Sequence, residues 1–301
     1  MTGLLEGYQT GSSLLRAARK LRARKAGCPA PADQFEPELR DIMERLLAPD
    51  EPDAVAVQNP NGASEILLIS DHAGRRIPRR LGTLGLGDAD LERHIAWDIG
   101  IHDVTTQIAD KLAATYIYQR YSRLVIDCNR KPGVAQSIML VSDGTEVPGN
   151  RNLTAEEARA REVEILHPYQ RTIERDLDRR TAAGRPTVIF AMHSCTPVFG
   201  NEAPRPWHIG VIAHRDWRIG QTLLDRLAAE TDLCVGKNKP YELNMETDYT
   251  IPVHAEGRGR PYVEIEIRQD LIADAAGQRK WAELLGGLLP RVVEQSGVLK
   301  A

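Results

Sequence analysis

The chain has little cysteine: Cys28, Cys128, Cys195 and Cys234 are the four among 301 residues, widely scattered and never as CxxC. That spacing excludes a disulfide framework and a thiolate zinc cluster, and it fits reduced thiols in a cytoplasm. Long apolar runs are lacking too. The longest uninterrupted ones, such as residues 66–69 and 188–192, fall far short of the ~18 needed to cross a bilayer, so a soluble protein with no membrane role is expected. The start, MTGLLEGYQT, lacks the charged region, apolar stretch and cleavage site of a secretory signal, and the expected location is the cytoplasm. Neither sign of charge is in excess. With 39 Lys+Arg against 42 Asp+Glu the formal charge is −3, which leaves no chain-wide basic field to hold nucleic acid.

What the chain does have is 42% apolar residues, enough for a sizeable core and too many for global disorder. Its length allows one large domain or two small ones. The first sixty residues differ from the rest. Arg16, Arg19, Lys20, Arg22, Arg24 and Lys25 crowd a helix-compatible stretch, followed by Pro29 and Pro31 and an acidic segment, 33–53. We read the basic stretch as a solvated arm that packs loosely or on a neighbouring subunit, which would make a homo-oligomer through this arm. FEPELRDIMERLL (35–47) has the 3.6-residue apolar spacing of an amphipathic helix. The division expected is a helical extension over 1–60 and a catalytic domain over 61–301.

From Glu65 onward strand and helix patterns alternate. ILLIS (66–70), TYIYQRY (115–121), RLVID (123–127), TVIFAM (187–192), HIGVIA (208–213) and VEIEIR (263–268) read as strands. Helices are expected from Ala89 with Asp88 as cap, from Thr154 with a Thr154/Glu157 capping box, over 216–230 and over 278–294. Interleaved strands and helices predict an α/β fold with a mainly parallel sheet covered on both faces.

In such sheets ligands sit beyond the carboxyl ends of the strands. Asp71-His72-Ala73-Gly74 follows the first run, Asp127-Cys128-Asn129-Arg130 another, and His193-Ser194 a third. Imidazoles and carboxylates from separate strand ends suit a catalytic zinc with one position open. His72 and His193 are the first two ligands. LERHIAWDIGIHDV offers His94 and Asp98 at i and i+4 of a helix; Asp98 is the first choice for the third ligand and His94 the second, although Asp98 could equally orient a liganding imidazole. Asn129 and Arg130, with Arg123, could present a fork to a substrate carboxylate, or Asp127 and Arg130 could simply pair on a surface loop. Glu264, Glu266 and Arg268 share one face of their strand, which either lines a polar cavity or is wet. In a cavity, Glu266 is a candidate general base. His254 either polarises a substrate carbonyl or fixes a loop.

SDHAGRRIP, HIAWDIGIHDV, SRLVIDCNR, MHSCTP, DYTIPVHAEGRGRP and VEIEIRQDL, in this order over roughly residues 60–295, resemble the N-formylglutamate amidohydrolase family. The resemblance implies a branch of the zinc carboxypeptidase and aspartoacylase group. With it come a three-layer α/β/α sandwich on a mixed, mainly parallel sheet, hydrolase-like and akin to the zinc-dependent exopeptidases, and Zn2+ or another divalent metal as cofactor. In that group two strand-end histidines hold zinc, an Asn-Arg pair grips the substrate carboxylate, and a late glutamate activates water. The matching positions are His72 and His193, Asn129 with Arg130, and Glu266. The wider group takes a further ligand from a glutamate three residues after the first histidine; that position is Arg75 here, so the third ligand must come from elsewhere.

The resemblance also implies hydrolysis of a linear amide C–N bond, N-formyl-L-glutamate to formate and L-glutamate, late in histidine breakdown. Glu266 would move the proton, His254 or Arg123 would help hold the oxyanion, and Asn129, Arg130 and Arg268 would hold the two carboxylates. The rivals are a zinc amidase for another N-acyl amino acid or a cell-wall amide, and a non-catalytic ligand-binding or interaction protein that keeps the fold.

Overall fold

The computed structural model describes residues 45–300. The basic stretch near the start, and all but the end of segment 35–47, lie outside the described residues. Leu46 and Leu47, at that segment's end, are buried in the core, and their backbone N–H groups donate to the Glu164 carboxylate at 2.7 and 3.0 Å.

The strands are β1 (Val55–Gln58), β2 (Ile66–Ser70), β3 (Thr115–Gln119), β4 (Val141–Ser142), β5 (Thr145–Glu146), β6 (Val188–Cys195), β7 (Ile209–Ile212), β8 (Val235–Lys237) and β9 (Tyr262–Arg268). The longer helices are α1 (Ile101–Leu112), α2 (Ala155–Arg161), α3 (His167–Ala182), α4 (Arg218–Glu230) and α5 (Ala275–Ser296). Seven strands form one sheet in the order β1-β3-β2-β6-β9-β7-β8. The central four, β3, β2, β6 and β9, are parallel. β1 is antiparallel to β3, and β7, which runs with β8, is antiparallel to β9. The sheet is therefore mixed and mainly parallel, as expected. It takes in Val55–Gln58, so chain ahead of residue 60 already supplies an edge strand.

The central strands are buried on both faces, which is why they read as unbroken apolar runs. Ile66 and Leu68 of β2, Val188, Phe190 and Met192 of β6, and Val263, Ile265 and Ile267 of β9 face one core, closed by α1, α4 and α5. Leu67, Ile69, Ile189, Ala191 and Tyr262 face the other, closed by α3 through Tyr169, Ile173 and Leu177. The result is three layers, α/β/α. The capping box at Thr154 and Glu157 is present. Among the described residues no helix is long and apolar enough to cross a membrane, and Cys128, Cys195 and Cys234 are free.

One expected strand is absent. Residues 123–125 form a turn and 126–127 are irregular, not a strand, although Leu124, Val125 and Ile126 are buried. Burial here comes from packing beneath α2 and α3, so side chains must satisfy the backbone. Arg161 donates to Val125 O at 2.9 Å, and Asn150 Nδ2 donates to Leu124 O at 2.9 Å. An apolar run alone does not separate such a plug from a central strand.

Candidate metal centre and catalytic cleft

The period of two along the strands builds the site. On the face of the sheet that α3 covers, apolar side chains give way to polar ones toward the carboxyl ends. Ile189 and Ala191 are followed by His193, and Tyr262 by Glu264 and Glu266. Asp71 and His72 follow β2 directly. Gly74 is required just beyond them, because a Cβ there would lie 2.1 Å from the backbone of Arg120.

Asp98 arrives from a turn, not from a helix. The short helix Asp88–Leu91 stops early, and Gly100, at φ 77°, precedes α1 in the left-handed region, so His94 and Asp98 do not share a helical face. His94 sits instead 3.3 Å from Asp143 and takes no part in the cluster. Asp98 is held by its own N–H, which donates to His72 O at 2.9 Å, and by Ser194 N, which donates to Oδ2 at 3.3 Å.

His72, Asp98 and His193 consequently converge, buried, with one donor atom from each lying within 4.8 Å of the others. Asp98 Oδ2 is 2.9 Å from His193 Nδ1 and 3.6 Å from His72 Nδ1. The far nitrogens meet other carboxylates: His72 Nε2 lies 2.7 Å from Asp127 Oδ1 and His193 Nε2 3.2 Å from Asp71 Oδ2. This is the arrangement in which a carboxylate orients a metal-binding imidazole. His72 Nδ1 is buried and has no hydrogen-bond partner, as a nitrogen reserved for a cation would be. Burial opposes charge on both rings, yet the carboxylates hold the imidazolium forms above their ordinary range. The same imidazoles, against burial, keep Asp98 well below the carboxylate range. A bound cation would take the place of those protons.

Glu266 lies beside this cluster. Burial pushes its carboxyl up to about 8, against the pull of His193, and burial pushes Glu264 up to about 7. The Oε2 atom of each is buried without a hydrogen-bond partner. The second face of β9 is thus buried and polar, not a wet edge.

The arginines divide. Arg123 Nη2 donates to Asp127 Oδ2 at 2.7 Å, with Nη1 3.6 Å from Asp98 Oδ1, so its guanidinium borders the cluster. Arg130 pairs with Asp248, not Asp127. Asn129 is buried, and its Oδ1 accepts from Thr250 N at 3.1 Å. Arg268 turns to Asp270 at 2.8 Å and to Arg205 O at 3.0 Å, away from the cluster. Arg75 pairs with Glu92 over the Trp97 ring. His254 lies behind the site, its Nε2 2.7 Å from Gln170 Oε1, and touches none of the clustered atoms.

Sequence reasoning passed over Arg205, which packs beside Cys195, two residues beyond His193. Its Nη1 donates to Tyr241 Oη at 3.0 Å, and its guanidinium lies 4.8 Å from the Tyr241 ring and 5.7 Å from that of Phe199. Gln170, Thr250 and Asp71 were also unassigned; only Asp71, at a strand end, carried a local signal.

The family model for N-formylglutamate amidohydrolase matches residues 64–273. The chain is similar to the crystal structure of a gene product from Agrobacterium tumefaciens, with 35% identity and a TM-score of 0.80, covering 83% of this chain and 99% of that one. N-formylglutamate amidohydrolase from Ralstonia eutropha JMP134 shares the fold, with 17% identity and a TM-score of 0.63 over 81% of this chain and 98% of that one. No curated protein sequence matches the chain.

Proposed function

Because the chain belongs to the N-formylglutamate amidohydrolase family and so is a hydrolase of an amide bond, we propose that it cleaves N-formyl-L-glutamate, or a related acidic N-acyl amino acid, with a divalent cation held by His72, Asp98 and His193. The observation that carries this reading is the buried three-residue cluster with Glu266 beside it. Two imidazoles and a carboxylate, without thiolate, suit zinc with an open position. When bound, the cation makes a water acidic near neutral pH and polarises the amide carbonyl.

The chain's own residues do the rest. Glu266 Oε2 accepts the proton released as water adds to the formyl carbon. Once protonated, that carboxyl passes the proton to the amine nitrogen as the C–N bond breaks. Arg123 offers positive charge to the developing oxyanion. Arg130 shares its fork between Asp248 and a substrate carboxylate. Asn129, whose Oδ1 is taken by Thr250, has its amide N–H2 to offer the same carboxylate, and Arg205 is a further cation for the second. In this reading His254, bonded to Gln170, and Arg268, bonded to Asp270 and Arg205 O, are given no direct role.

The test is a purified, metal-analysed sample assayed on a panel of N-acyl amino acids. Stoichiometric divalent metal and a preference for N-formyl-L-glutamate are expected. Equal rates on neutral substrates would refute the acidic specificity, and metal-free, inert protein would favour a non-catalytic binding protein.

A further inference from the structure

The hydrogen bonds behind His193 have one consistent direction. Cys128 O accepts only, so Gln170 presents its Nε2 to it, at 2.6 Å. The same amide nitrogen donates to Thr250 Oγ1 at 3.0 Å. The hydroxyl's own proton therefore goes to Asp71 Oδ1, at 2.6 Å. On its other side Gln170 Oε1 is an acceptor, which puts the proton of His254 on Nε2. Asp71 Oδ2 is left to face His193 Nε2 at ion-pair distance, 3.2 Å, where neither atom makes a hydrogen bond, while the ring's hydrogen bond runs from Nδ1 to Asp98 Oδ2 at 2.9 Å, the place a cation would take. Asp71, Gln170, Thr250 and His254 are all buried, at 0–3% exposure, so water does not blur these directions.

We propose that Thr250 and Gln170, which touch none of the three clustered side chains, are positioning residues for the cation site. By orienting Asp71 they keep His193 in the tautomer with its proton on Nε2, so that Nδ1, beside Asp98, is the atom presented to the cation. His254 is the closed end of the chain. It stays neutral at neutral pH, because burial pushes its pKa down to about 4, and as a neutral Nε2–H donor it holds the Gln170 amide in place. The inference rests on the cation site proposed above.

Zinc affinity, measured by competition with a chromogenic chelator, tests it together with the d–d spectrum of the cobalt-substituted protein. The wild type is expected to bind one equivalent. Thr250→Val, close to isosteric, and Gln170→Met should weaken binding by roughly 10–100-fold, the usual effect of removing an outer partner of a ligand. Both should alter the cobalt spectrum, and Thr250→Ser should recover most of the affinity. Wild-type protein that binds no cation would remove the cation reading itself; variants that bind like a metal-binding wild type would overturn the positioning role alone. Imidazole 15N NMR of the zinc-loaded wild type needs no variant to fold. A His193 proton found on Nδ1 would overturn the proposal.

Discussion

His193 and Glu266 are direct neighbours across the parallel β6–β9 pair, on the face where both strands exchange apolar for polar side chains. The imidazole proposed to hold the metal and the carboxylate proposed to carry the proton are therefore spaced by backbone hydrogen bonds rather than by loops. Glu266→Gln should keep this spacing, the metal and substrate binding, and lose ~10²–10⁴ in turnover. Near-wild-type kcat would take Glu266 out of the mechanism.

The position of Asp98 in a turn leads to a paired expectation. His193→Ala and Asp98→Asn should each release the metal on elemental analysis, whereas His94→Ala, which disturbs only a contact with Asp143, should retain it. Stoichiometric metal in the first two would refute the ligand set.

Arg130 is tied to Asp248, and that ion pair bridges the loop after residue 127 to the loop before 250. Arg130→Ala is expected to raise KM for N-formyl-L-glutamate more than for a neutral N-formyl amino acid. Equal increases would show that the guanidinium serves Asp248 alone.

The buried His254 links stability to pH. Its native pKa is about 4 against an ordinary 6.5, so between those values the unfolded chain binds a proton that the native state refuses. Stability should therefore fall as pH falls from 6.5 towards 4, by at most about 1.4 kcal/mol per pH unit from this group. His254→Gln keeps an N–H for Gln170 and should show a shallower acid loss in urea unfolding at several pH values. Identical slopes would mean that His254 is already charged in the native protein.

The strands that carry the site were legible because burial on both faces writes itself as β-branched and apolar runs, and the polar residues just past them stood out. His72 and His193 stood out that way, and Glu266 by the alternation within its strand. Residues 123–127 deceived for the same reason: a plug capped by Arg161 and Asn150 is as apolar as a strand. His94 beside Asp98 suggested a helix face that the left-handed Gly100 and the turn before it abolish. Arg268 keeps the strand's parity with Glu266, but at the strand's end its long side chain reaches Asp270 instead. Gln170 and Thr250 meet through a hydrogen bond from α3 to the helix Thr250–His254, 80 residues apart, and no local pattern announces a partnership of that kind.

Asp71, Asp98 and Asp127 are each matched by His72, His193 or Arg123, and burial holds Glu264 and Glu266 toward their neutral forms. The acidic cluster is thus largely spent on its own partners. In the reading proposed above, the amide of an acidic substrate would face this neutralised cluster and its carboxylates would face Arg130 and Arg205, so charge already cancelled inside the protein would set which end of the substrate enters.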